Sequence, residues 1–339
     1  MNSMKYKNPP FEITNKIVTL VAEIGELTGR LTTTQGLSMS PILRRNNRIR
    51  TIHASLAIEQ NSLSIDQVTA ILNGKRIIAP PKDIAEVQNA FEIYERMDEM
   101  DPYSVDDLFT AHGVMMRGLN DEAGAFRSKP IGVVNQAGQI LHFGSLPKVV
   151  PELVVRLLDW IRDSELHMLI RSCVFHYEFE VIHPFADGNG RMGRLWHTLL
   201  LSKWNQLFAW LPVESIIRDR QQEYYNAINI SNNQADGTVF IKFMLTSIKA
   251  SLVEALSVSD EMSDGKREGM RAASISKEDF RRAEIEKFLK QHSFIMNADV
   301  RLLFNISAAT ANRILAAFVT DATLEKYREA GHWAYRLPF

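Results

Sequence analysis

The chain has 339 residues, of which 45% are hydrophobic and 23% charged, and its 39 basic and 40 acidic side chains give a formal net charge of −1. This composition excludes a disordered, collagen-like or disulfide-built protein, and the charge balance gives no global attraction to nucleic acid or a membrane surface. The one cysteine, Cys173, has no partner for an internal disulfide, and its apolar surroundings predict burial.

Helical periodicity dominates the first half. Ile17, Leu20, Val21, Ile24, Leu27 and Leu31 fall on one face of a helix over Asn15 to Leu31. A second helix is expected over Pro41 to Glu59. A third starts at Ser64, where Ser64 and Gln67 have the spacing of a capping box, and stops at the Asn73-Gly74 turn. Asp83 to Met100 forms the next. Ser104 then caps one that runs to about Gly118. Ile131 to Phe143 breaks the pattern: two short β-prone runs flank Asn135 to Gly138, the signal of a hairpin.

Helices resume over Lys148–Arg162, Glu165–Glu180, Arg191–Asn205, Asp219–Ile230 and Thr238–Leu256. Ser257 to Ser276 is polar, small and charged, and is read as a linker. Three short helices follow, over Lys277–Gln291, Asn297–Phe304 and Ser307–Val319, and then a hairpin over Thr323–Leu337. Three helices and a β-hairpin make a winged-helix-like pattern. No stretch reaches the roughly eighteen apolar residues of a membrane span, and the first residues lack the apolar run of a signal peptide. The chain is therefore read as soluble and cytoplasmic, without a membrane partner.

The chemistry concentrates in His183-Pro184-Phe185-Ala186-Asp187-Gly188-Asn189-Gly190-Arg191-Met192-Gly193-Arg194. An apolar helix ends at proline, a glycine-rich loop follows, and a new helix opens near Arg191. Gly188 and Gly190 leave the backbone free to turn, and their N–H groups with the next helix's positive end form an anion cradle. Arg191 and Arg194, three residues apart, face the same side and can clamp phosphate oxygens. Asp187 at the rim can hold magnesium bridging phosphates. Histidine titrates near neutrality, which suits His183 to general-base work. Phe185, apolar inside a polar loop, is expected to plug into the core.

This segment resembles the signature of the Fic (filamentation induced by cAMP) family, H-P-F-x-[D/E]-G-N-G-R-x-x-R, at all nine specified positions. The resemblance implies a mainly α, Fic-type helical core with a β-hairpin flap, followed here by the small winged-helix-like domain. It divides the chain into an N-terminal helical region (1–100), the Fic core (101–256), the linker (257–276) and the C-terminal domain (277–339). It also implies AMP transfer from ATP to Ser, Thr or Tyr hydroxyls of target proteins. His183 would deprotonate the hydroxyl. Asp187 would coordinate Mg2+ or Mn2+ on the phosphates. Gly188, Asn189 and Gly190 would form the anion hole, with the Asn189 side chain on a phosphate oxygen. Arg191 and Arg194 would hold the β- and γ-phosphates. Tyr224, Tyr225 and Asn226 are the candidates for the adenine pocket. The flap at 131–143 would dock the target by strand addition.

Ser55 and Glu59 match the family's inhibitory motif, [S/T]-x-x-x-E-[G/N], although Gln60 stands where Gly or Asn is usual and Asn61 comes one residue later. Being four apart, Ser55 and Glu59 share a helix face, from which Glu59 can form a bidentate pair with Arg194 and remove a γ-phosphate ligand. Removal of AMP, or transfer of another phosphate-linked group, are rivals at the same site. A rival of a different class is a DNA-binding regulator with a vestigial core, reading DNA through Asn312 and Arg313. From Lys266 to Arg336 there are 13 basic and 9 acidic residues, a charge of only +4. Docking of a protein partner or a second subunit is the other use open to that domain, and self-modification and a homodimer are open as well. His142, His167, His176 and His197 lack metal-ligand spacing.

Overall fold

The structure is a computed structural model that describes residues 9–33, 41–134, 140–270, 277–304, 306–329 and 332–338. Its contacts group the chain into two units, Met1–Thr33 with Asn47–Leu256, and Thr34–Asn46 with Ser257–Phe339. In chain order the elements are α1 (Asn15–Thr33), α2 (Pro41–Ile58), α3 (Ile65–Leu72), α4 (Pro81–Glu95), α5 (Val105–Met115), β1 (Gly132–Val134), β2 (Ile140–Phe143), α6 (Val150–Asp163), α7 (Met168–Ile182), α8 (Asn189–Trp204), α9 (Val213–Asp219), α10 (Gln221–Gln234) and α11 (Thr238–Met270). The C-terminal elements are α12 (Lys277–Gln291), α13 (Asn297–Phe304), α14 (Ala308–Thr320), β3 (Glu325–Glu329) and β4 (His332–Arg336).

Helix starts follow local chemistry. The Gln67 N–H donates to Ser64 Oγ at 3.3 Å and the Ser64 N–H to Gln67 Oε1 at 2.9 Å, which completes the expected capping box. Pro81 opens α4, two residues before the expected start, because proline's preset φ and missing N–H suit a first turn. Gly74, at φ +74°, ends α3. Two elements differ from the sequence reading. The short α9 was not anticipated. The helix expected to end at Leu256 continues to Met270, through most of the stretch read as linker; Glu, Lys, Arg and Met there are good helix formers that need no apolar face.

Within the first unit, α7 is buried on all sides, which its lack of a polar face requires. It packs against α6 and α8. One apolar cluster runs through Ile52 and Leu56 of α2, Val87 and Ile93 of α4, Phe175 and Phe179 of α7 and Trp196 and Leu200 of α8. Among the described residues, side chains from both sides of position 100 thus share one core. Each such side chain contributes about 1.5–3 kcal/mol by burial. β1 and β2 pair antiparallel, Gly132 with Phe143, with an irregularity between Val133 and Val134. The hairpin's expected turn, Asn135 to Gly138, lies outside the described residues.

The second unit has its own core of Ile285, Phe288, Val300, Ile314, Leu315, Phe318 and Leu324. β3 and β4 pair antiparallel from Glu325–Arg336 to Glu329–His332, and Ile295 bridges to Tyr335. Among the described residues no single helix is long and apolar enough to cross a membrane.

Candidate functional site

The loop between α7 and α8 is shaped by its own side chains. His183 caps α7 with a left-handed backbone, φ 51° and ψ 64°. Phe185 is fully buried, as its place in the loop predicts, and stacks on the His112 imidazole with centroids 3.7 Å apart. Asn189 closes the loop: its Oδ1 accepts from the Phe185 N–H and its Nδ2 donates to the Phe185 carbonyl, both at 2.8 Å. Gly188 then turns the chain at φ +80°, and a Cβ there would lie 2.6 Å from Met116 Sδ. Helix α8 starts immediately after, so its free N–H groups face the loop.

His112 holds this loop from α5. Its Nδ1 accepts from the Gly124 N–H at 2.9 Å, so Nε2 carries the proton and donates to the Asp187 carbonyl at 3.0 Å. Burial pushes its imidazole down to about 4, which keeps it neutral in that role. Asp187 itself is half exposed, with Oδ1 accepting from the Gly188 N–H at 2.7 Å. The His183 ring places Nδ1 3.3 Å from the Glu180 carbonyl. A neutral ring with its proton on Nδ1 presents Nε2 as the base.

Both motif arginines are buried, and each meets a carboxylate. Arg194 Nη2 donates to Glu59 Oε1 at 2.8 Å and to the Ser55 carbonyl at 2.9 Å, while Nε donates to Ser55 Oγ at 3.0 Å. The expected pair therefore forms, but through one carboxylate oxygen; the second donor direction goes to Ser55, so the contact is not bidentate. Burial opposes the charge on Glu59, yet Arg194 outweighs it and holds the carboxyl below its ordinary value. Gly190 admits this carboxylate: a Cβ there would lie 2.3 Å from Glu59 Oε1. Arg191 Nη1 meets Glu86 Oε1 at 3.1 Å and Nη2 lies 3.5 Å from Asp187 Oδ2. Its Nε is buried without a hydrogen-bond partner among the described residues.

The end of α2 explains the departure at Gln60. The Asn61 N–H bonds to the Leu56 carbonyl and the Gln60 N–H to that of Ala57, both at 3.1 Å, a Schellman closure with Gln60 at φ +68°. Gly or Asn takes that conformation most readily; Gln60 takes it without moving Glu59 off Arg194.

The residues proposed for adenine do not converge. Tyr224 is 2% exposed, lies 3.0 Å through its hydroxyl from His176 Nε2 and packs on Phe240 and Phe243. It belongs to the core. Asn226 is exposed and accepts from Gln222 Nε2 at 3.0 Å. Only Tyr225 reaches the site's edge, donating to the Ile58 carbonyl beside Glu59 at 3.2 Å. The Asn189 side chain is likewise spent inside the loop, on the Phe185 main chain. In the second unit Asn312 accepts from Asn297 Nδ2 at 2.6 Å.

Sequence reasoning missed Glu86, His112, Arg127 and Glu180. Burial pushes Glu180 up to about 8, with Arg194 opposing and Glu59 adding to the shift. Its Oε1 has no hydrogen-bond partner among the described residues and lies 3.8 Å from His176 Nε2. The sole signal for Glu180 was its place three residues before His183. Cys173 is buried, as expected, and desolvation raises its thiol well above the ordinary value. No group of three or more His, Cys, Asp or Glu is placed to hold a metal ion among the described residues.

His183 at the end of α7, the glycine turn and the N-terminal end of α8 meet in one loop, and helix N-termini are places where anions bind. The profile of the Fic/DOC family matches residues 102–201, from the approach to α5 into α8. A crystal structure of a Fic family protein from Desulfovibrio desulfuricans G20 is 41% identical, with a TM-score of 0.74 and 98% of each chain covered. The chain belongs to the Fic family. Protein adenylyltransferase fic-1 of Caenorhabditis elegans is 27% identical over 230 residues, 63% of this chain and 42% of that protein. Probable protein adenylyltransferase aq_aa38 of Aquifex aeolicus (strain VF5) is 28% identical over 153 residues, with 42% and 43% covered. The chain thus spans less than half the length of the curated relatives it matches.

Proposed function

We propose that the protein is an adenylyltransferase that moves AMP from ATP to a protein hydroxyl and is held in check by Glu59. The observation that carries this reading is the meeting of His183, the N-terminal end of α8 and both motif arginines around one loop. The names of the relatives point the same way. His183 Nε2 takes the proton of the target's Ser, Thr or Tyr hydroxyl. The hydroxyl oxygen bonds to the α-phosphorus as the bond to the bridging oxygen breaks, and pyrophosphate leaves. Alignment and charge neutralisation supply most of the rate. Arg191 and Arg194 hold the phosphate tail, and the N–H groups around Gly188 and Gly190 face its oxygens. The orphaned Nε of Arg191 supports that assignment, because a buried donor without a partner costs about 1–3 kcal/mol until an acceptor arrives.

A single half-exposed carboxylate suits an ion that arrives with the nucleotide, since magnesium is normally held by one or two carboxylates plus phosphates and waters. Asp187 would hold such a magnesium or manganese ion, which neutralises phosphate charge when bound. The hairpin at 131–143 is read as the dock for the target segment. The outer edge of this two-stranded sheet can add a strand, and the protein's own hydroxyls make self-modification a convenient readout. The helices α12–α14 followed by the β3–β4 hairpin support a winged-helix-like reading of the second unit.

The test is incubation of the Glu59→Gly variant with α-labelled and γ-labelled ATP in parallel. Label on protein from the α position alone is the expected result. Label from the γ position alone means phosphate transfer and ends the AMP reading.

A further inference from the structure

We propose that Arg127 is a positioning residue that ties the root of the β1–β2 hairpin to the histidine base, so that target dock and base move as one piece. This rests on the transfer reading above for its consequence, but not for its geometry. Arg127 lies just before the hairpin and is buried. Its Nε donates to the His183 carbonyl at 2.7 Å and its Nη1 to the Lys129 carbonyl at 2.9 Å. Nη2 donates to the Ser145 carbonyl and, at 3.4 Å, to that of Ile182. Its own backbone N–H donates to the Pro184 carbonyl at 3.0 Å. Lys129 precedes β1 and Ser145 follows β2; Ile182 and His183 are the end of α7. One guanidinium therefore joins both stems of the hairpin to the residue that bears the base.

Among the described residues no carboxylate pairs with Arg127, so its charge is met by main-chain carbonyls. Two of these belong to the last turn of α7, where carbonyls lack helical partners and attract a cation. The arrangement also holds a backbone that would otherwise relax. His183 is left-handed without being glycine, a conformation that persists only when its surroundings enforce it. The second stem passes close to it. A Cβ at Gly144 would lie 2.9 Å from Arg127 Nη2, 3.1 Å from His183 Cβ and 3.1 Å from Ile131 Cγ2. The Gly144 N–H meanwhile closes the hairpin's root on the Ile131 carbonyl at 3.1 Å. A methyl group at position 144 would crowd Arg127 and His183 at the point where the guanidinium joins them.

The experiment uses the full chain carrying Glu59→Gly, alone and with Arg127→Gln, Arg127→Lys or Gly144→Ala added. Self-labelling from α-labelled ATP is followed against ATP concentration, and amide hydrogen exchange is followed at 144–145 and in α8. Misplacing a base by about 1 Å costs on the order of 10²-fold in rate, so Arg127→Gln and Gly144→Ala are expected to lower kcat by about that factor with KM for ATP within about twofold. Arg127→Lys, which keeps the charge and part of the reach, is expected to recover part of the rate. The amides of Gly144 and Ser145 should lose protection while those of α8 keep theirs. Unchanged kcat in Gly144→Ala, or protection lost equally in α8, overturns the proposal. If the parent takes up no label from α-labelled ATP, the transfer reading fails, and the exchange pattern still decides whether Arg127 ties hairpin to helix end.

Discussion

Arg191 and Arg194 sit about one turn apart on α8, and each meets a glutamate from an earlier helix, but the two meetings are built differently. Glu86 and Arg191 have side chains 5% and 4% exposed, and Asn61 Nδ2 adds a second bond to Glu86 at 2.8 Å. Glu59 is 35% exposed where it meets Arg194, which is 1% exposed. Glu59 also stands at the C-terminal end of α2, where the helix dipole disfavours a negative charge. Its main anchor is Arg194, whereas Arg194 keeps two acceptors on Ser55 without it. The Glu86 pair has the construction of a fixed part and the Glu59 pair that of a latch. Two arginines one turn apart on the same helix therefore differ in which partner can leave.

Stability separates them most strongly. Glu86→Ala leaves Arg191 charged and buried, and breaking a buried pair costs about 3–5 kcal/mol. Glu59→Ala is expected to cost only about 1 kcal/mol, as for a solvent-reached pair. Urea unfolding of the two variants checks this, and equal losses would mean that Glu59 is as structural as Glu86.

Activity should separate them in the opposite sense. A charge-assisted contact is worth about 1.5–3 kcal/mol, and roughly 1.4 kcal/mol is tenfold in rate. Glu59→Gly is therefore expected to raise self-labelling at least about tenfold. Adding Arg194→Ala to Glu59→Gly should remove that gain, because on the proposed reading the freed arginine binds the nucleotide's phosphate tail. A double variant as fast as Glu59→Gly would show that release of Arg194 is not the source of activation.

The smallest effect is a pH slope. Glu180 lies near Arg194, and burial raises its carboxyl to about 8, above its unfolded value. A carboxyl raised on folding contributes stability that is whole below the unfolded value and lost as pH rises through the folded one. Glu180→Gln keeps the neutral form, so it should gain on the wild type as pH rises from about 5 to 8, by at most about 1.4 kcal/mol per unit. Unfolding free energies at two pH values in that window measure it. Parallel curves would mean that Glu180 is charged throughout and that Arg194 faces two anions, not one.

Much of the site was legible along the chain because its parts are close in sequence. His183, Asp187, Gly188 and the two arginines span one loop and one helix start, and local rules of turns and helix ends place them. Glu59 was legible through its spacing from Ser55. The helical class, the two hairpins and the capping at Ser64 followed from periodicity and cap chemistry. A helix without an apolar face, such as residues 257–270, gives periodicity nothing to detect.

What the tertiary structure alone decided is partner choice. Periodicity says which residues face inward, not which inward residue of another helix they meet. Asn189 was assigned to a ligand, but the loop's curvature brings it back on Phe185. Tyr224 was assigned to a base, but α10 turns it toward His176. Nothing in its local sequence marks Glu86; packing of α4 sets it against an arginine 105 residues away. Arg127 carried no motif at all. Its role exists because both stems of a hairpin and the end of α7 converge on one buried guanidinium, a meeting fixed by how the helices pack and by no short stretch of sequence.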